Sequence, residues 1–136
     1  MGISVIPAPA AGKTPYVVTL LSGTSWTPPA GCLYVNATLI GGGGSNRSGT
    51  GSPPGGGQKI ASSVATTPGV AISYAIGAGA STDAAGGNTT FTGATTANGG
   101  SRSGAPQAGE TVLNANIAVV GAISGADGKI ELEYWV

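Results

Sequence analysis

Glu131 and Glu133 are the residues of this chain that most invite a catalytic reading. Residues two apart on an extended strand share a face, and two carboxyl groups on one face are the arrangement that glycoside hydrolysis uses as acid and base or nucleophile. Their setting, KIELEYWV, explains them more simply as the solvated side of an alternating strand. The chain contains no histidine, which removes His-centred triads, His-ligated metals and imidazole proton shuttles. Cys32 is the one cysteine; without a histidine base it reads as a small buried residue rather than a nucleophile. A lone cysteine also excludes an intramolecular disulfide framework and fits synthesis in a reducing cytosol. Asp127 reads as an Asx-type turn with Gly128, and Asp83 lies in a loop without recognisable companion ligands. No catalytic residue, cofactor or metal is expected.

Other binding chemistry is equally thin. Gly12, Lys13 and Thr14 imitate the end of a phosphate-binding loop, but Pro7 stands where its first glycine belongs and Pro15 where its helix would begin. The glycine runs lack the G-x-G-x-x-G spacing between strand and helix that a dinucleotide requires. Asn36, Asn46 and Asn88 open N-x-S/T sequons that composition alone explains. Lys13, Arg47, Lys59, Arg102 and Lys129 are scattered, so no phosphate-tracking stripe forms and no nucleic-acid partner is expected. The five basic and five acidic residues balance to a net charge of zero. Little repulsion keeps copies apart, which points to life in an assembly. No apolar run is long enough to span a bilayer, so no membrane insertion is expected. The opening residues do not read as a secretory signal, and Ile6 breaks a myristoylation match.

The elements that must position any site are short and extended. Pro7, Pro9 and Pro15 make residues 1–15 an extended arm that orders against a partner. The main domain is expected over 16–136. YVVTLLSGTSW reads as a strand, TPPAG as a turn, and CLYVNATLI as a strand with Leu33, Val35, Ala37 and Leu39 on one side. Residues 41–57 hold eleven Gly and Pro in seventeen positions and read as a long loop or an extended polyglycine-like excursion. Residues 58–77 read as a hairpin turning at Pro68 and Gly69 in type II geometry. NTTFTG is a short strand anchored by Phe91. VLNANIAVVGAI, 112–123, reads as a strand from its β context, and KIELEYWV buries Ile130, Leu132, Tyr134 and Val136. These elements predict an all-β antiparallel β-sandwich, jelly-roll-like, with long glycine-rich loops.

The order GTSWTPPAG, LIGGGG, TPG, VAISYAIGAG, GGNTTF and DGKIELEY resembles the glycine-rich domain of tailed-phage tail-fibre and adhesin proteins over roughly residues 16–136. Trp26, Thr27, Pro29, Ala30 and Gly31 carry the first motif; Pro68, Gly69, Tyr74, Ile76, Gly77, Ala78 and Gly79 carry the second. The resemblance implies a β-sandwich from which glycine-rich segments project, in longer members as packed polyglycine II helices whose loops contact a bacterial receptor. Here the glycine runs are short and interrupted by Ser, Asn, Arg and Pro. Single threads are therefore expected rather than a full lattice.

The resemblance implies a non-enzymatic virion protein at the tail fibre or tail tip, made in the host cytoplasm. It would attach to other virion proteins through residues 1–15, form a homotrimer, and bind a host-surface glycan or outer-membrane protein. Asn46, Arg47 and Ser48, with Asn98, Ser101, Arg102 and Ser103, offer hydrogen-bonding groups on glycine-rich loops and are the candidate receptor-binding residues. Trp26 and Trp135 can stack on sugars but belong more readily to core or interface. Two other readings stand beside this one: a capsid decoration, cement or head-fibre protein, and a carbohydrate-cleaving enzyme using Glu131 and Glu133.

Overall fold

The computed structural model describes residues 13–45, 55–81, 84–102 and 126–136, and among them it is all-β with no helix. Seven strands form: β1 (Pro15–Leu20), β2 (Ser25–Trp26), β3 (Tyr34–Ile40), β4 (Lys59–Ala65), β5 (Ile72–Ala75), β6 (Thr90–Phe91) and β7 (Lys129–Trp135). They make two antiparallel sheets, one ordered β1-β7-β3-β4 and the other β2-β5-β6. The alternation read in KIELEYWV holds: Ile130 and Leu132 are fully buried, Tyr134 nearly so, and Glu131 and Glu133 are exposed. In β3 the buried set is Val35, Ala37 and Leu39; Leu33 falls before the strand and is 64 % exposed, while Cys32 is buried in its place.

One core serves both sheets. Val35, Leu39, Val64, Ile130, Leu132 and Tyr134 meet Tyr74 and Phe91 from the smaller sheet. Trp26 closes its rim, its ring 5.4 Å from that of Tyr134 and 6.4 Å from that of Phe91. Cys32 completes the floor beside Thr66, whose hydroxyl donates to the Cys32 carbonyl at 2.8 Å. The cysteine is buried, as its lack of a base suggested.

Two expectations are corrected. The strand read over 16–26 is two strands in different sheets: β1 pairs with β7, β2 with β5. The break follows from a distant contact, because Tyr74 Oη donates to the Ser22 carbonyl at 2.7 Å and draws the chain toward the smaller sheet. Pro15 opens β1 instead of ending the arm, which a proline lacking an amide donor tolerates at an edge. The hairpin over 58–77 does not form either. Its turn is of type II, with Gly69 at φ +82° and Val70 N–H donating to the Thr67 carbonyl at 3.1 Å. β4 nevertheless pairs with β3 while β5 pairs with β2 and β6. A type II turn twists against hairpin pairing, and here it carries the chain from one sheet to the other so that Val64 and Tyr74 enter the same core. The strand expected at 112–123 lies outside the described residues.

Leu132→Ala removes a fully buried side chain between the sheets and is expected to lower unfolding free energy by about 2–5 kcal/mol in urea titration.

Candidate functional site

β3 ends where its side chains end. Gly41–Gly44 have nothing to place on either face of a sheet, and the chain leaves the pleat for a different hydrogen-bond pattern. Gly41 and Gly44 donate to the carbonyls of Gln58 and Gly55, Gly42 and Ser45 to those of Gly87 and Ala84, and Gly43 to that of Ala126, all at 2.8–3.0 Å. The neighbour addressed repeats every third residue, which is the signature of a threefold extended helix and not of a strand. Gly100 and Ala80 donate in return to the carbonyls of Gly42 and Gly43. The outer threads also bond one another: Gly55 and Gln58 to Ser101 and Asn98, Gly86 to Gly100, Gly87 to Ala78, and Gly128 to Gly77. The 41–45 thread is thus bonded to five others, 55–58, 97–101, 84–88, 77–80 and 126–128. All five of its residues are buried.

Threads this close exclude side chains. A Cβ on Gly42 would land on the Ala78 carbonyl, on Gly44 on that of Ser101, and on Gly100 on that of Gly55. These obstacles are backbone atoms that cannot rotate away, the situation that forces glycine at the collagen axis. The expectation of isolated threads is therefore corrected to a packed lattice. Interruptions are tolerated because a thread needs only three to five residues, and because Ala78, Ala84, Asn88 and Asn98 lie exposed on the outside.

Some interrupting side chains do more than fit. Asn98 N–H donates to Gln58 Oε1 at 3.0 Å, Gly99 to Asn88 Oδ1 at 2.9 Å, Gly79 to Asp127 Oδ1 at 2.8 Å and Ala84 to Ser45 Oγ at 2.8 Å. They receive amides that find no backbone acceptor among the described threads. Asp127, expected to close an Asx turn, is one of them. Thr89 does the same at the base, where its hydroxyl accepts from Gly77 N–H at 2.9 Å and donates to the Ile40 carbonyl at 2.7 Å. Sequence reasoning missed all five; the available signal was a short polar residue beside each glycine run.

The lattice sorts the candidate residues by height. Asn98 stays at its base, bonded to Gln58 next to the sheet. Ser101 stands one threefold turn farther out, roughly 9 Å at about 3.1 Å per residue, where its carbonyl takes the Gly55 amide. Ser45 joins that far layer through Ala84, and Arg102 follows, exposed. Asn46, Arg47 and Ser48, like Ser103, lie outside the described residues, as does Asp83; the thread leading to Asn46 ends in the far layer. The sheet holds the other sequence candidates. Glu131 and Glu133 sit on its outer face opposite Thr38 and Asn36, with Lys129 Nζ 3.9 Å from Glu131 and Asn36 Nδ2 donating to Glu133 at 3.4 Å. Lys13 donates to the Gly31 carbonyl at 2.7 Å, a structural tie rather than part of a phosphate loop.

A model of the glycine-rich domain matches residues 19–131. The chain belongs to the glycine-rich domain family. No curated protein matches it. Within this glycine-rich domain the matched span runs from the end of β1 to the start of β7, so it takes in β2 to β6 and the six described threads.

Two substitutions separate lattice glycine from turn glycine. Gly42→Ala drives a methyl group into the Ala78 carbonyl and is expected to cost about 3 kcal/mol or more. Gly69→Ala has open space at φ +82° and is expected to cost about 1–2 kcal/mol. Thermal unfolding followed by circular dichroism ranks the two. Thr89→Val preserves shape but strips the Ile40 carbonyl and the Gly77 amide of their shared hydroxyl; a loss of about 1–3 kcal/mol is expected in urea unfolding.

Proposed function

We propose that this glycine-rich domain is a non-enzymatic structural protein of a tailed-phage virion, set at the tail fibre or tail tip, where it binds the host surface through loops at the far end of its lattice. The observation that supports this reading is the layer formed by Ser45, Gly55, Ala84 and Ser101. Ser45 N–H donates to Ala84, Gly44 to Gly55 and Gly55 to Ser101, so the thread ends flanking three separate links, 46–54, 82–83 and 103–125, are bonded into one plane. Backbone bonds hold that plane about 12 Å, or four threefold steps, from the end of β3. Recognition residues on loops carried by a rigid scaffold are a common division of labour.

Asn46, Arg47, Ser48, Ser101 and Arg102 are the proposed contact residues at this end. Asn98, held at the base, is left as a lattice residue. The proline-rich arm ahead of β1 attaches the domain to other virion proteins, and three copies assemble about the fibre axis. The assignment to a phage fibre rests on the motif order given above.

Imaging of particles labelled on this protein tests the placement. Label at the tail tip is the expected result; label over the head overturns it in favour of capsid decoration. Arg47→Ala with Arg102→Ala is expected to slow adsorption about tenfold, as loss of arginine hot spots does. Unchanged adsorption with the label at the tail overturns the loop-binding reading.

A further inference from the structure

We propose that the outer face of the four-stranded sheet is a separate binding site for a neutral, β-linked glycan strand. The register sets out this face row by row. Pro15, Trp135, Tyr34 and Ala65 form the first row, Val17, Glu133, Asn36 and Ser63 the second, and Thr19, Glu131, Thr38 and Ala61 the third. The two tryptophans have parted: Trp26 faces the core, whereas Trp135 lies on the opposite side of the sheet with its ring 5.5 Å from that of Tyr34, inclined at 31°. Tyr34 is 41 % exposed. A shallow depression adjoins the aromatic row and is lined by Val17, Asn36, Thr38, Glu131, Leu132 and Glu133.

The chemistry of these rows selects the ligand. Amphipathic rings offer pyranose C–H faces an apolar surface while keeping a polar edge in water. Beside them stand an amide, a threonine hydroxyl and two carboxylates, groups that donate to or accept from sugar hydroxyls. Rows two residues apart are spaced by about 6.7 Å, so the strip spans a few sugar rings. The surface is a flat sheet and not a cleft, which suits a ribbon of equatorially linked pyranoses. The fourth row sets Lys59 and Lys129 on either side of Ile40, with Lys129 Nζ 3.9 Å from Glu131, so the two glutamates are balanced by two lysines and a face without net charge suits a neutral chain better than a uronic-acid or sulfated one. The two carboxylates that first suggested hydrolysis act in this arrangement as hydrogen-bond acceptors.

The site stands on the opposite side of the sheet from the core, apart from the lattice, and does not depend on the loop reading. Its test uses the fact that the chain has two tryptophans, hence two indole N–H signals in a nitrogen-15 NMR spectrum. Titration of the full chain with cellohexaose and chitohexaose is expected to move the Trp135 signal saturably and leave the Trp26 signal still. Tyr34→Ala and Glu133→Gln are each expected to weaken the binding about tenfold, with the unmoved Trp26 signal reporting an intact core. Absence of a Trp135 shift with both sugars overturns the proposal, as does a shift that survives both substitutions. Movement of the Trp135 signal on dilution without sugar also overturns it, since that assigns the face to a second copy of the chain.

Discussion

Everything beyond the strands depends on how closely peptide backbones can approach when no side chain intervenes. In an ordinary domain the interior is filled by side chains at near-crystalline density; in this lattice the backbones themselves fill it. Successive amides of the 41–45 thread point at carbonyls of three different neighbours, and the same neighbour recurs every third residue, so three directions of bonding hold a bundle where a sheet would hold a layer. A bond of this kind contributes about 0.5–1.5 kcal/mol net, and fixing glycine costs more conformational entropy than fixing any other residue. The lattice therefore needs support from outside its own bonds.

The two sheets supply it. The 41–45 thread continues β3, and the 55–58 and 126–128 threads run directly into β4 and β7; the 77–80 thread follows β5 and the 84–88 thread leads to β6. Strand ends held in register present the threads already spaced, which removes much of the entropy a free glycine run would lose. Thr89 marks the transition, since its one buried hydroxyl joins the last carbonyl of β3 to the first bonded amide of the 77–80 thread. Stability flows outward from a small core of Val35, Leu39, Phe91, Ile130 and Leu132 to a rod whose buried apolar side chains among the described residues are the methyl groups of Ala80 and Ala97.

That asymmetry explains what could be read in the amino acids. Period-two patterning marks β3 and β7 because burial acts on each residue locally; the alternation of Ile130, Leu132 and Tyr134 against two glutamates is a direct imprint of one wet and one dry face. The break between β1 and β2 leaves no such imprint, because it is fixed by Tyr74, 52 residues from Ser22. Pro68 and Gly69 announced a turn correctly but not its use, since a type II turn serves a crossing between sheets as well as a reversal. The lattice was least legible. Glycine runs carry no pattern to align, and the third-residue repeat exists only in pairings between segments far apart in the chain. The same blindness covers the far layer: Ser45 and Ser101 look alike in sequence to Asn98, and only thread height distinguishes them.

A rod held by backbone bonds separates the chemistry of its end from the demands of its interior. Inside, nearly every methyl group added to a thread glycine meets a backbone carbonyl, so those positions admit no side chain. At the far layer the constraint stops: Ser45, Ser101 and Ala84 carry side chains there, and Ser81, Ala84 and Arg102 are exposed. Loop insertions cost little closure entropy even when long, and here each begins from a fixed platform. The outer sheet face is free in a second way, since its side chains point away from a core that depends on the alternate residues of the same strands. The domain thus keeps the two surfaces proposed above, the far layer and the outer sheet rows, apart from each other, while a single small core and one set of glycines hold both in place.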